Sequence, residues 1–220
     1  MSLVPASTSA TTSPSGYGPS PALPPKEALA PPRPPDEVPK GTSLMGVLLL
    51  IMADAMVLAT LLAAWLTVKS GSLAWPPKGV HLTTYLPSVI TITAVMSSFS
   101  MQWAVSSIRR NDQRSATTGI ILTAFFGICI VNAQWYSLVR AKFGIASHAY
   151  GTLYDLLIGY SAVHQVLAVG ALVLVGARAI VGHFGREGYD PMRAVAAFWH
   201  YSNAAWFLIM IFVFLFSRHG

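Results

Sequence analysis

The sequence predicts an all-α membrane protein: a bundle of five transmembrane helices behind a disordered, proline-rich N-terminal tail. Three observations predict it. Of the 220 residues, 54% are hydrophobic and only 10% are charged, well under half the charged share of a globular chain. The apolar residues fall into five windows, 44–68, 85–108, 115–139, 154–177 and 194–217. Each is long enough to cross a bilayer core of about 30 Å as a helix. None alternates with the period of two that a membrane strand of about 10 residues needs.

The tail, residues 1–41, comes first. It holds eleven of the fifteen prolines, and its Lys26, Arg33 and Lys40 offset Glu27, Asp36 and Glu37. Proline lacks an amide donor and breaks both helix and central strand. A segment so poor in apolar residues cannot offset its ordering entropy, so a disordered, partly polyproline-II tether is expected. No apolar run near the start marks a secretory signal. The remainder, 42–220, forms the five-helix domain.

The five windows together contain two charged side chains, Asp54 and Asp155. Orientation follows from the loops. The tail and the connections after the second and fourth windows carry nine Lys/Arg residues; the opposite side carries five. The positive-inside rule places the N-terminus in the cytoplasm and the C-terminus outside. Trp75, Tyr85, Trp135, Tyr136 and Tyr150 fall near one set of helix ends, where an interfacial aromatic belt is expected. Ala55, Ala59 and Ala63 recur every four residues, a spacing that lets a helix approach a neighbour closely.

Composition also excludes classes. A net charge of +6 from 14 basic and 8 acidic residues is too thin to neutralise many phosphates, so no nucleic-acid partner is expected. The single cysteine, Cys129, rules out an internal disulfide framework and a Cys-based zinc site; mid-helix, it reads as a small packing residue. No hydrolase triad, P-loop or carboxylate metal cluster has the required spacing. No catalytic residue and no metal site are expected on this chain.

Polar residues inside the apolar windows are the candidate functional groups, because charge at bilayer depth is costly and usually functional. Asp54 lies about 15 Å into the first helix, near the midplane. It reads either as a proton relay or polar anchor for a partner helix, or as a neutral acid hydrogen-bonded inside the bundle. Asp155 is expected at a helix entrance, where the macrodipole favours negative charge. His164 and His200 lie in the last two windows. They read as packing residues or, alternatively, as the two ligands of a b-type haem. Ser161 shares a face with His164, and Asn203 with His200; Gln102, Asn132 and Gln134 add uncharged polar groups to this seam. Arg109, Arg110 and Arg114 crowd the loop after the second window.

These pieces resemble a known family in order along the chain. The segment Leu48-Leu49-Leu50-Ile51-Met52-Ala53-Asp54-Ala55-Met56, then Trp75-Pro76-Pro77, then Ser97-Ser98-Phe99-Ser100-Met101-Gln102-Trp103-Ala104, Gly159-Tyr160-Ser161-Ala162-Val163-His164 and Phe198-Trp199-His200-Tyr201-Ser202-Asn203-Ala204-Ala205-Trp206 are similar to motifs of subunit III of the haem–copper terminal oxidases (cytochrome c oxidase subunit 3). The likeness runs from about Thr42 to the end, in the short five-helix form that lacks the first two helices of the seven-helix version. The expected topology agrees with that family. There are departures: Asp54 stands where the family has Glu, Gln134 where it has Glu, Ser161 where it has His, and Asn203 where it has an acid. Three ionisable positions are thus neutral, which marks a divergent branch.

The resemblance implies an accessory subunit with no cofactor of its own. Haem and copper would belong to the catalytic partner. Subunits I and II and membrane phospholipids would be the partners, and a prokaryotic plasma membrane the location. In such a complex the subunit supports assembly, lipid binding, proton uptake and turnover stability. Asp54, Gln134, Ser161, His164, His200 and Asn203 would line its polar interior, and Arg109, Arg110 and Arg114 would meet lipid or loop phosphates. A subunit-III-like partner of nitric oxide reductase is the alternative, and a b-haem electron carrier a third.

Overall fold

The structure is a computed structural model that describes residues 41–77, 80, 83–141, 148–180 and 189–216. The expected tail lies outside the described residues, apart from Gly41. Five helices follow one another: α1 (Thr42–Ser70), α2 (Tyr85–Arg109), α3 (Gln113–Arg140), α4 (Ala149–Ile180) and α5 (Tyr189–Ile209). A π-helical turn, Met210–Leu215, extends α5. All five are long and apolar enough to cross a membrane, and no strand occurs among the described residues.

Local chemistry sets the helix ends. Gly41, at φ 93°, turns the chain into α1. Pro87 sits in the first turn of α2, where a missing amide donor costs little. Asn111, at φ 60°, closes α2 with a two-bond cap: its own N–H donates to Ile108 O and that of Asp112 to Ser107 O. This is a Schellman geometry with Asn in place of the usual Gly. Asp112 then caps α3 by accepting from the Ser115 amide. These hydrogen bonds hold its carboxyl below the ordinary 3.8.

α4 begins at Ala149, five residues before the expected window, because the His148 Nδ1 accepts the Gly151 amide at 2.8 Å as an N-cap. Asp155 therefore stands in the second turn of α4 and not at its entrance.

Helices α2, α3, α4 and α5 pack in a ring, each against the next and α5 back against α2; α1 lies outside, against α5 and α4. Lipid tails are as apolar as the helices, so association rests on close packing and hydrogen bonds and not on a hydrophobic drive. Two glycines show how close the packing is. A Cβ on Gly119 would stand 2.9 Å from the Ala104 Cβ, and one on Gly127 would stand 2.6 Å from the Trp199 ring.

The core has two apolar clusters. One gathers Trp65, Trp75, Ile90, Ile130, Tyr150, Leu157, Trp206 and Val213. The other gathers Met101, Ala104, Ile120, Ala168, Leu172, Met192 and Trp199.

Three expectations about facing change. Ala55, Ala59 and Ala63 point outward, while Leu58, Leu62 and Trp65 turn inward. Bulky side chains make more packing contacts, so they take the inner stripe. Trp75 and Tyr150 are buried against Trp65, with ring centroids 4.8–5.1 Å apart, whereas Tyr85, Trp135 and Tyr136 remain on the outer surface. Cys129 is also exposed, as are Gln102 and Asn132.

α1 and α5 run parallel and are joined at both ends. The Gly41 amide donates to the Asp190 carboxylate, and Lys69 Nζ donates to the Phe216 carbonyl at 2.6 Å. Parallel helices align like dipole ends. One anion serves the two N-termini and one cation the two C-termini, each worth about 0.3–1 kcal/mol at an exposed end.

Candidate functional site

Between α1, α4 and α5 the structure assembles four polar side chains. Asp54 projects from the middle of α1. His164 Nε2 lies 2.9 Å from Asp54 Oδ2. Tyr160, one turn before His164 on α4, donates its hydroxyl to the same oxygen at 2.6 Å. Tyr201 of α5 stands 2.9 Å from the Tyr160 hydroxyl. Because Tyr160 has a single hydroxyl hydrogen and gives it to Asp54, Tyr201 is the donor in that second bond.

The other ring nitrogen fixes the proton count. His164 Nδ1 lies 2.7 Å from the Tyr160 carbonyl oxygen. A carbonyl only accepts, so Nδ1 carries a hydrogen. The Nε2···Oδ2 contact then holds one proton, either as neutral acid and neutral imidazole or as carboxylate and imidazolium. Both forms are neutral overall, which suits a site at bilayer depth. The His164 ring is further fixed by Tyr160, Phe198 and Tyr201, at centroid distances of 4.1, 6.1 and 6.4 Å. The side chains of His164 and Asp54 retain 14% and 18% exposure, so the pair is open along one edge of the chain.

This geometry tests the haem reading. Both His164 nitrogens are engaged, one by Asp54 and one by the Tyr160 carbonyl, which leaves no lone pair for iron. His200 is half-buried on α5. The residues present do not fit a bis-histidine haem.

The remaining intramembrane candidates lie in the α2–α5 ring. Gln134 Nε2 donates to Ser161 Oγ at 2.9 Å. Asn203 Nδ2 reaches the Ala94 carbonyl, Ser97 Oγ and Ser98 Oγ at 3.1, 3.1 and 2.8 Å. Asp54 and His164 thus form one group, and Gln134 with Ser161 and Asn203 with α2 form others. Arg110 and Arg114 are exposed at the α2–α3 turn, as is Arg109.

Sequence reading did not single out Tyr160 and Tyr201 as site residues. The available signal was spacing: Tyr160 and His164 are four apart on one helix face, and a tyrosine at depth must place its hydroxyl against an acceptor.

The sequence matches the family described as cytochrome c oxidase subunit III over residues 35–218. It is 28% identical over 174 residues to cytochrome c oxidase subunit 3 of Synechocystis sp., covering 78% of this chain and 75% of that protein. The protein of the same name from Thermostichus vulcanus is 20% identical over 178 residues, 80% of this chain and 88% of its own. That of Marchantia polymorpha is 24% identical over 177 residues, 77% and 66% respectively.

Proposed function

The chain belongs to the cytochrome c oxidase subunit III family, and from that premise we propose that it is an accessory subunit of a haem–copper oxidase. On this reading subunits I and II hold the haem and copper and carry out oxygen reduction. This chain carries no redox centre and contributes assembly, lipid contact, sustained proton uptake and turnover stability. It lies in a prokaryotic plasma membrane with the N-terminus inside and the C-terminus outside.

The Asp54–His164 contact carries the reading beyond family membership. An ionisable pair at mid-depth, partly open at the chain's edge, is costly against lipid tails. A neighbouring subunit or an ordered lipid would cover it. Arg109, Arg110 and Arg114, exposed on one turn, are suited to lipid phosphates at the cytoplasmic face. The polar groups of the α2–α5 ring would act as neutral packing contacts.

The neutral residues at Gln134, Ser161 and Asn203 favour a second reading, a partner for nitric oxide reductase, whose catalytic subunit makes no demand on proton pumping.

Deleting the chain from its host tests the role. The expected result is an oxidase that begins at near-normal activity and inactivates within fewer turnovers. An unchanged active lifetime would overturn it.

A further inference from the structure

Both contacts that the Asp54 carboxyl makes arrive at one oxygen. The Tyr160 hydroxyl and His164 Nε2 meet Oδ2, at 2.6 and 2.9 Å. Oδ1 has no hydrogen-bond partner among the described residues, and unlike Gln134 Oε1 or Asn203 Oδ1 it is not sealed in the core. The proton of the Asp54–His164 contact lies on the Oδ2 side. Oδ1 is therefore an acceptor whether the acid is neutral or ionised.

The neighbouring residues show which way the pair opens. α1 and α4 run antiparallel: Trp65, late in α1, meets Tyr150, early in α4, and Asp54 meets His164 between the helix ends. On each helix the residue four after the pair is buried, Leu58 on α1 and Ala168 on α4. On each helix the residue three after it is exposed, Val57 and Leu167. Positions i+3 and i+4 flank a residue on its two sides. In an antiparallel pair the two i+3 positions fall on the same side of the seam. Asp54 and His164 thus sit at the lip of the α1–α4 seam, with Tyr201 of α5 behind them. Leu50 and Val57 of α1 and Val163 and Leu167 of α4 form an exposed apolar rim.

Depth limits what can reach this lip. Asp54 stands near the middle of the 29-residue α1. In a hydrocarbon core about 30 Å thick, headgroups and water lie about 15 Å away, and acyl chains offer no donor. A donor at this level has to be carried by protein. An unmet acceptor is costly in hydrocarbon, and a charged donor there is costlier. Hydroxyl and amide side chains are the groups that bond between membrane helices.

We propose that the α1–α4 seam is an interaction surface for a transmembrane helix of the catalytic subunit. That helix lays an apolar face on Leu50, Val57, Val163 and Leu167 and donates to Asp54 Oδ1 from an uncharged side chain (Ser, Thr, Asn or Gln). The proposal rests on the subunit reading above. It gives the carboxyl two tasks: Oδ2 ties α1 to α4 within the chain, and Oδ1 ties the chain to its partner.

The test places the photo-cross-linker p-benzoylphenylalanine at Val57 and, separately, at Leu167 of the full chain in its own membranes. Both positions are exposed, and neither side chain belongs to the polar group. Each should couple to the same helix of the catalytic subunit, with adducts within one helical turn of an uncharged donor. The same probe at Phe125, exposed on α3, should leave that helix unlabelled. Replacing the donor by Ala should lower co-purification several-fold, and Asp54→Leu should add little to that loss. If Asp54→Leu fails to accumulate, the cross-links decide alone. Adducts confined to phospholipid or to a second copy of this chain, in samples that contain the catalytic subunit, would overturn the proposal and leave the subunit role standing. A labelled helix without such a donor, labelling of that helix from Phe125, or losses that simply add would do the same. Absence of any catalytic subunit from the sample would overturn both.

Discussion

His164 Nε2 sits 2.9 Å from Asp54 Oδ2, while its Nδ1 is turned to the Tyr160 carbonyl on its own helix. The contact joins α1, which buries little of its length, to the four-helix ring. It is anchored by a ring that cannot rotate without breaking two hydrogen bonds.

Replacing Asp54 should therefore act on the join. Asp54→Ala leaves Nε2 and the Tyr160 hydroxyl without their partner, and should lower the thermal stability of the complex more than Asp54→Asn, which keeps a polar head in place. A double-mutant cycle with His164→Ala should give a coupling of about 1 kcal/mol, within the range for hydrogen bonds inside membranes. Asp54→Asn should still shorten the active lifetime of the complex, measured as turnovers before inactivation. Independent, additive effects of the two residues would refute the join.

The α1–α5 clamps give a second prediction. Asp190→Asn removes the anion that the two N-termini share, and Lys69→Met the cation at the two C-termini. Each should speed hydrogen exchange at its own end of α1, at Gly41–Met45 and at the last turn respectively, by several-fold, and spare α3. Uniform protection of α1 in both variants would contradict the assignment.

Close approach at the glycines gives a third. Gly127→Ala places a methyl group against the Trp199 ring and Val169, and Gly119→Ala places one against the α2 backbone at Ala104. Overpacking of this kind costs about 1–3 kcal/mol. Gly170→Ala, which meets nothing within 4 Å, is the matched control, and its melting temperature should stay at the wild-type value.

The α2–α3 turn gives a prediction in pH. The Asp112 carboxyl is held below 3.8 by its bonds to Ser115, so its ionised form is favoured in the folded state. Its contribution is present above the unfolded value and is lost as pH falls through the lower folded one. Asp112→Ala should reduce the melting temperature at neutral pH, and the gap to wild type should close as pH falls through the carboxyl's lowered folded value. A gap that persisted in acid would show that the carboxylate is not the cap.

The helices themselves were legible in sequence because membrane thickness imposes a length that few other structures need. Their facing was not. In a membrane both sides of a helix are apolar, so the periodicity that marks a buried stripe in a soluble helix is weak. The Ala55–Ala59–Ala63 stripe and the Leu58–Leu62–Trp65 stripe both look suitable for packing, and only the tertiary fit selects the second. Trp75 and Tyr150 show the same limit for aromatics at helix ends. The candidate site was half legible: Asp54 and His164 stood out by charge, whereas Tyr160 and Tyr201 carry no charge to distinguish them from core or belt residues.

The identity of the protein with which this chain assembles decides its role. A tagged copy, extracted in mild detergent and purified from its own membranes, should bring down a haem–copper catalytic subunit whose reduced-minus-oxidised spectrum shows haem, with oxygen consumption in the same fraction. Recovery of the chain alone, or a haem spectrum that stays with the isolated chain and disappears in His164→Ala, would contradict it.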